Sequence, residues 1–234
     1  MALTIGILEA GAVAPEFHGY LTSFSDAFQN FLDSTGDEPK LRSYLCYDGE
    51  FPRAAEECDG WLITGAAAAV YDGDAWIPLL EAFTRTASET RPVVGICFGH
   101  QLIAQAFGGE VKNASGWGVG VHSHEVTNTA DWMVPPLQSL SLLASHQDQV
   151  VTPPPGAEVH GGSDFCPIGI MTIGANVLSI QNHPELTRDF ASELLRVRRD
   201  IIGPVTADTA LDSMSTPTDE AAAAAWVLGF LDRT

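Results

Sequence analysis

The segment Val93-Val94-Gly95-Ile96-Cys97-Phe98-Gly99-His100-Gln101 sets a cysteine on a Gly-x-Cys-x-Gly turn between an apolar run and a helix-forming stretch. A nucleophile on so sharp a strand-to-helix turn takes a strained backbone, and glycines two residues to either side leave room for neighbouring chain. The Cys97 thiol then projects into a cleft at a helix N-terminus, where partial positive charge favours an anion and the Phe98 amide meets a developing oxyanion. Cys46, Cys58 and Cys166 lack that setting, share no C-x-x-C spacing, and read as small buried hydrophobes.

A thiol nucleophile needs a base. Ser179-Ile180-Gln181-Asn182-His183-Pro184-Glu185 puts His183 at the end of an apolar run, the same kind of edge that carries Cys97. Pro184 stiffens the turn, and Glu185 reaches back to hold one imidazole nitrogen so that the other faces the thiol. His100, one turn along the helix from Cys97, is a further candidate for the pocket, with helix packing as its alternative role.

The elements that must position these groups alternate strand and helix in the first half of the chain, which predicts a parallel sheet with helices on both faces. Strands are expected at residues 3–8, 41–47, 60–64 and 93–97, with helices at 17–32, 75–90 and 98–107. After Gly108-Gly109 short β-prone pieces follow, at 118–127, 140–144, 157–160, 168–173 and 177–181, read as antiparallel or mixed strands. A helix at 186–202 carries Arg196, Arg198 and Arg199 near its C-terminal end, where the macrodipole favours cations. Residues 206–218 read as a polar connector, and 218–231 as a final helix capped by Thr218. The expectation is one domain over residues 1–234, a three-layer α/β sandwich with a mostly parallel central sheet and a core at about 3–202.

Together these residues resemble the class I glutamine amidotransferase family, whose members hydrolyse the amide of glutamine with a Cys-His-Glu triad. The resemblance runs from the Gly95-to-Gln101 turn to His183-Pro184-Glu185. It also takes in Leu62-Ile63-Thr64-Gly65, Gly116-Trp117-Gly118 and Ala144-Ser145-His146-Gln147-Asp148-Gln149-Val150. Within the family the chain is most similar to stand-alone members that resemble the glutaminase domain of GMP synthase.

The resemblance implies a flavodoxin-like fold and a role for each matching position. Cys97 attacks the γ-amide carbonyl, His183 carries the proton, Glu185 orients His183, and a γ-glutamyl thioester forms and is hydrolysed. Backbone amides of Gly65 and Phe98 make the oxyanion hole, and Gln101 binds the amino-acid end of the substrate, helped by main-chain groups around Ser145, His146 and Gln147. No cofactor and no metal is implied. The sequence departs from the family in the loop Thr64-Gly65-Ala66-Ala67-Ala68-Ala69, where glycine, proline or serine is common, which bears on the oxyanion role of Gly65.

The 234 residues hold 30 acidic and 11 basic side chains, a formal charge of −19, so nucleic acid and anionic membrane surfaces are excluded as partners. No basic-apolar leader and no apolar run long enough for a membrane span is evident, which predicts a cytoplasmic protein. His122-Ser123-His124 puts two imidazoles on one strand face, with His146 or His160 as a third zinc ligand, but no H-E-x-x-H or cysteine-pair spacing supports that reading. No glycine-rich phosphate loop occurs either.

An α/β-hydrolase is disfavoured because its acid precedes its histidine, and the chaperone and peptidase group with an elbow cysteine because histidine usually follows that cysteine. The expected substrate is glutamine or another γ-glutamyl small molecule, with ammonia accepted by a separate synthetase subunit. The alternatives are a stand-alone γ-glutamyl peptide hydrolase and a non-catalytic regulatory protein that keeps the fold.

Overall fold

The computed structural model describes residues 3–233, so residues 1, 2 and 234 of the expected domain lie outside the described residues. In chain order the strands and helices are β1 (Thr4–Glu9), α1 (Phe24–Asp33), β2 (Lys40–Leu45), β3 (Gly60–Ile63), α2 (Trp76–Ser88), β4 (Val93–Ile96) and α3 (Phe98–Ala106). The second half holds β5 (Glu110–Val126), β6 (Ser139–Thr152), β7 (Ala157–Gly162), β8 (Ile170–Ile173), β9 (Val177–Ile180), α4 (Arg188–Val197), α5 (Arg199–Ile202), α6 (Pro204–Ser213) and α7 (Glu220–Leu231).

All nine strands form one sheet, in the order β2-β1-β3-β4-β9-β8-β7-β5-β6. From β2 to β9 neighbours are parallel, and from β9 to β6 they are antiparallel. Side chains that alternate along the strands build two cores. Ile5, Ile7, Leu62, Val94, Leu178 and Ile180 meet Phe28, Phe31, Trp226 and Phe230 of α1 and α7, whereas Trp61, Ile63, Val93 and Val177 meet Ile77, Leu80, Leu102 and Ile103 of α2 and α3. Helices on both faces give the expected three layers, and β3, β4 and β9 are buried along their whole length, as short apolar runs in a parallel sheet should be.

Four expectations are corrected. The first helix does not begin at Phe17. A single 3-10 turn (Pro15–Phe17) precedes it, and Ser23 caps α1 by accepting from the Asp26 amide at 3.0 Å, so capping chemistry overrides the earlier apolar residues. The expected helix at 186–202 is interrupted at Arg198, which ends α4. The supposed connector contains α6, opened by Pro204 at its first turn and packed on β5 through the buried Ala207 and Ala210. A buried stripe of two small residues is too faint to read as amphipathic. Thr218 does not cap α7. It accepts from Arg188 at 2.7 Å, and Asp219 at the helix start is tied to the backbone of Ser141 on β6.

Candidate active site

Cys97 stands between β4 and α3 with φ 53° and ψ −103°, and among the described residues it is the one non-glycine with positive φ. Such a conformation costs on the order of 1–3 kcal/mol and persists only where the surroundings over-determine it. They do so here. The Cys97 amide donates to Ile180 O of β9 at 2.9 Å, and its carbonyl accepts from the Gln101 amide at 3.1 Å. A Cβ on Gly95 would lie 2.4 Å from the Gly99 carbonyl oxygen, and one on Gly99 would lie 2.5 Å from that of Ile63, so both flanking glycines are required by close backbone approach.

His183 follows β9, and its amide donates to Leu143 O of β6 at 2.7 Å, an isolated antiparallel bridge that fixes the turn. Its Nδ1 lies 2.7 Å from Glu185 Oε1, and the Glu185 side chain is fully shielded from solvent. Burial alone would push the His183 pKa down. The Cys97 thiol and the Glu185 carboxylate, through charge and hydrogen bonds, outweigh burial and hold the imidazole well above its ordinary value. Burial pushes the Cys46 and Cys166 thiols up to about 12, which agrees with their reading as inert.

Gly65 completes the cluster. A Cβ there would meet His183 Cε1 at 2.8 Å and Cys97 Cβ at 3.7 Å, so only glycine lets this loop approach both residues. Among the described residues neither the Gly65 amide nor the Phe98 amide has a protein acceptor. Both remain available to an oxyanion.

Two hollows flank the pair. One, of about 210 Å³, is polar and is lined by Cys97 together with the expected Gln101, Ser145, His146 and Gln147. Sequence reasoning missed its other walls, Tyr71, Asn113, Trp117 and Asp148. These come together only in the fold: Tyr71 Oη donates to Asp148 Oδ2 at 2.8 Å, and Asn113 Nδ2 to Asp148 Oδ1 at 2.9 Å. The Gln101 amide nitrogen is held by Asp148 O at 2.8 Å and Gln181 Oε1 at 3.2 Å, which fixes the side chain at the wall. The His146 ring is turned inward, with Nδ1 3.1 Å from Asp148 O and the ring against Phe165. His146 therefore meets the hollow as part of its wall and not as a free imidazole.

The other hollow, of about 120 Å³, touches His183 and Gly65 and is walled largely by apolar side chains, Val13, Phe17, Phe24, Leu186, Phe190 and Leu194 among them. Arg198 lines both hollows, and no sequence signal separated it from its neighbour Arg199. His100 belongs to neither. It is fully buried, with Nδ1 2.9 Å from Ser179 Oγ, and has the packing role. A larger surface hollow of about 740 Å³, between residues 35–39 and α7, contains none of the candidate residues.

His122 and His124 act on His146 through charge, whereas His160 is held by Asn128 O and Thr172 Oγ1. No group of three His, Cys, Asp or Glu side chains placed to hold a metal ion occurs among the described residues, and no helix there is long and apolar enough to cross a membrane.

The sequence model of class I glutamine amidotransferases matches residues 37–196, more than half of the chain. The chain belongs to the class I glutamine amidotransferase family. It is 32% identical over 178 residues to gamma-glutamyl peptidase 2 of Arabidopsis thaliana, covering 72% of this chain and 71% of that relative. A shorter stretch of 96 residues is 38% identical to the glutamine-hydrolyzing GMP synthase subunit of Methanosphaera stadtmanae, covering 41% of this chain and 52% of that one. The crystal structure of a glutamine amido transferase from Methylobacillus flagellatus superposes with a TM-score of 0.69 at 21% identity over 100% of this chain and 96% of the other. That likeness shows the fold to be that of a glutamine amidotransferase.

Proposed function

We propose that this chain hydrolyses γ-glutamyl amides, glutamine or γ-glutamyl peptides, through a thioester on Cys97. The observation that carries the reading is a cysteine in a strained turn beside an imidazole whose far nitrogen is held by a buried carboxylate at 2.7 Å. In the first step Cys97 Sγ bonds to the γ-carbonyl carbon, and negative charge on the oxygen is met by the Gly65 and Phe98 amides. The C–N bond then breaks, and His183, already favouring its protonated form, gives the departing nitrogen its proton. Water attacks the γ-glutamyl thioester, His183 takes its proton, the C–S bond breaks, and glutamate leaves with the thiol restored. Gln101, Ser145 and Gln147 hold the amino-acid end in the polar hollow, with His146 shaping its wall.

Similarity to gamma-glutamyl peptidase 2 over most of the chain supports hydrolysis by the chain alone. A second reading, ammonia passed to a separate synthetase in the cytoplasm, is favoured by the stretch similar to the glutamine-hydrolyzing GMP synthase relative. Glutamate release from glutamine and from γ-glutamyl dipeptides, measured with the purified chain and its Cys97→Ala variant, tests both. Cys97-dependent turnover and trapping of a γ-glutamyl adduct on Cys97 are expected. Turnover that survives Cys97→Ala would sink the mechanism.

A further inference from the structure

Three arginines stand in a row of four residues where α4 ends, and two of them are already engaged. Arg196 pairs with Glu193 at 3.3 Å, and Arg199 forms a two-point pair with Asp208 at 3.0 and 2.7 Å. Arg198 has no hydrogen bond or ion pair from its guanidinium among the described residues, although it is half-buried and the chain carries a net charge of −19. Glu16 acts on it through space, without contact. A partly desolvated guanidinium with no carboxylate paired to it, in an acid-rich protein, is costly unless a ligand supplies one. It lines the apolar hollow that touches His183.

The chemistry decides which part of a substrate enters that hollow. The departing nitrogen must take its proton from His183, so the leaving amine lies on the His183 side, and the polar hollow beside Cys97 is left for the glutamyl end. Ammonia needs no apolar room. The hollow offers about 120 Å³ walled by Val13, Phe17, Phe24, Leu186, Phe190 and Leu194. That is near the roughly 150 Å³ of an apolar cavity that takes up a benzene ring.

We infer that the preferred substrates are γ-glutamyl dipeptides whose second residue has a large apolar side chain, seated in the hollow, and a free carboxylate paired with Arg198. The inference rests on the γ-glutamyl hydrolase reading and narrows it to a substrate class. Burying the apolar side chain selects for these compounds over glutamine, and the two-point guanidinium–carboxylate pair selects for the free acid over the same amine without it.

The test compares kcat/KM for four compounds: γ-glutamyl-phenylalanine, γ-glutamyl-phenethylamide, γ-glutamyl-glycine and glutamine. γ-Glutamyl-phenylalanine should exceed γ-glutamyl-glycine at least about tenfold, and should exceed the phenethylamide about thirtyfold. In Arg198→Ala that thirtyfold acid-over-amide ratio should fall to near one, and Arg198→Lys should restore it in part. An equal loss on all four compounds with the ratio intact would assign Arg198 to the glutamyl end, and a preference for glutamine would empty the hollow of this role. Either result overturns the inference and leaves γ-glutamyl hydrolysis standing. Absence of turnover on all four would instead overturn the hydrolase reading, and calorimetric binding of γ-glutamyl-phenylalanine to Cys97→Ala, with and without Arg198→Ala, then decides the inference separately.

Discussion

The two halves of the sheet do different work. From β2 to β9 the strands are parallel and short, β3, β4 and β9 among them wholly buried, and the groups that would make and break bonds stand at their C-terminal ends: Gly65 after β3, Cys97 after β4 and His183 after β9. From β8 to β6 they are antiparallel, β5 and β6 are long, their side chains wall the cleft, and the Leu143 carbonyl of β6 holds the turn at His183. A parallel sheet gathers several strand ends on one edge, so residues distant in sequence meet there without long side chains. An antiparallel ribbon offers its face, where polar and apolar residues alternate, and so suits recognition better than bond chemistry.

If the division is right, the largest effect comes from the parallel edge. Cys97→Ala should lower kcat/KM by more than about 10⁴-fold, since among the described residues no second thiol lines the cleft. Steady-state glutamate release checks this. Glu185→Gln should cost roughly 10²–10³-fold and also change the pH profile. With the carboxylate gone, one of the two groups that raise the His183 pKa is lost, so the imidazolium deprotonates at lower pH. The alkaline limb of kcat/KM should therefore shift to lower pH. An unmoved limb would detach Glu185 from His183.

Glycine substitutions sharpen the same contrast through stability. Gly99→Ala drives a methyl into the Ile63 carbonyl, with the contact at 2.5 Å between two buried elements that cannot part cheaply. About 3 kcal/mol is expected, at the upper end of overpacking costs. Gly156, in the β6–β7 turn at φ +78°, has open space around it, so Gly156→Ala meets only backbone strain, about 1 kcal/mol. Urea midpoints of the two variants measure the difference. Equal losses would mean that the elbow is no more tightly built than a surface turn.

The parallel half was also the more legible half of the sequence. Gly95, Cys97 and Gly99 announce their geometry because few local structures need that spacing, and His183-Pro184-Glu185 carries its orienting acid two residues away. Apart from the polar edge strand β2, strands there are apolar runs, so boundaries fell within a few residues. Legibility failed where partners are chosen in three dimensions. Arg196 carries a local signal in Glu193 three residues before it, but nothing local distinguishes Arg198 from Arg199, whose partner Asp208 is brought near by α6. Tyr71, Asn113 and Asp148 meet only when loop and ribbon pack. The connector that proved to be α6 hid because its buried face consists of alanines, whose helical preference is strong but whose apolar signal is weak.

Three buried histidines, His100 on α3 and His124 and His146 on the antiparallel ribbon, supply the last and smallest contrast. Burial, followed by repulsion from His124 and His146, holds His100 down to about 3; burial, opposed by the Asp148 carbonyl and aided by repulsion from His122, His183 and His124, holds His146 down to about 3; and burial with the neighbouring His122 holds His124 down to about 4. In the unfolded chain each titrates near 6.5. Between those values the unfolded state binds more protons than the folded one, so stability is present above pH 6.5 and is lost as pH falls toward 4. Each histidine adds a slope approaching about 1.4 kcal/mol per pH unit in that window. His183, whose pKa is raised, is protonated in both states below 6.5 and adds none there. Replacing His124 with Gln removes one group from the sum, so its urea stability should fall less steeply between pH 6.5 and 4.5, by up to about 1.4 kcal/mol per unit. Parallel curves for the wild type and His124→Gln would mean that the ribbon histidines already exchange protons with solvent, and the recognition half would then be looser than its packing implies.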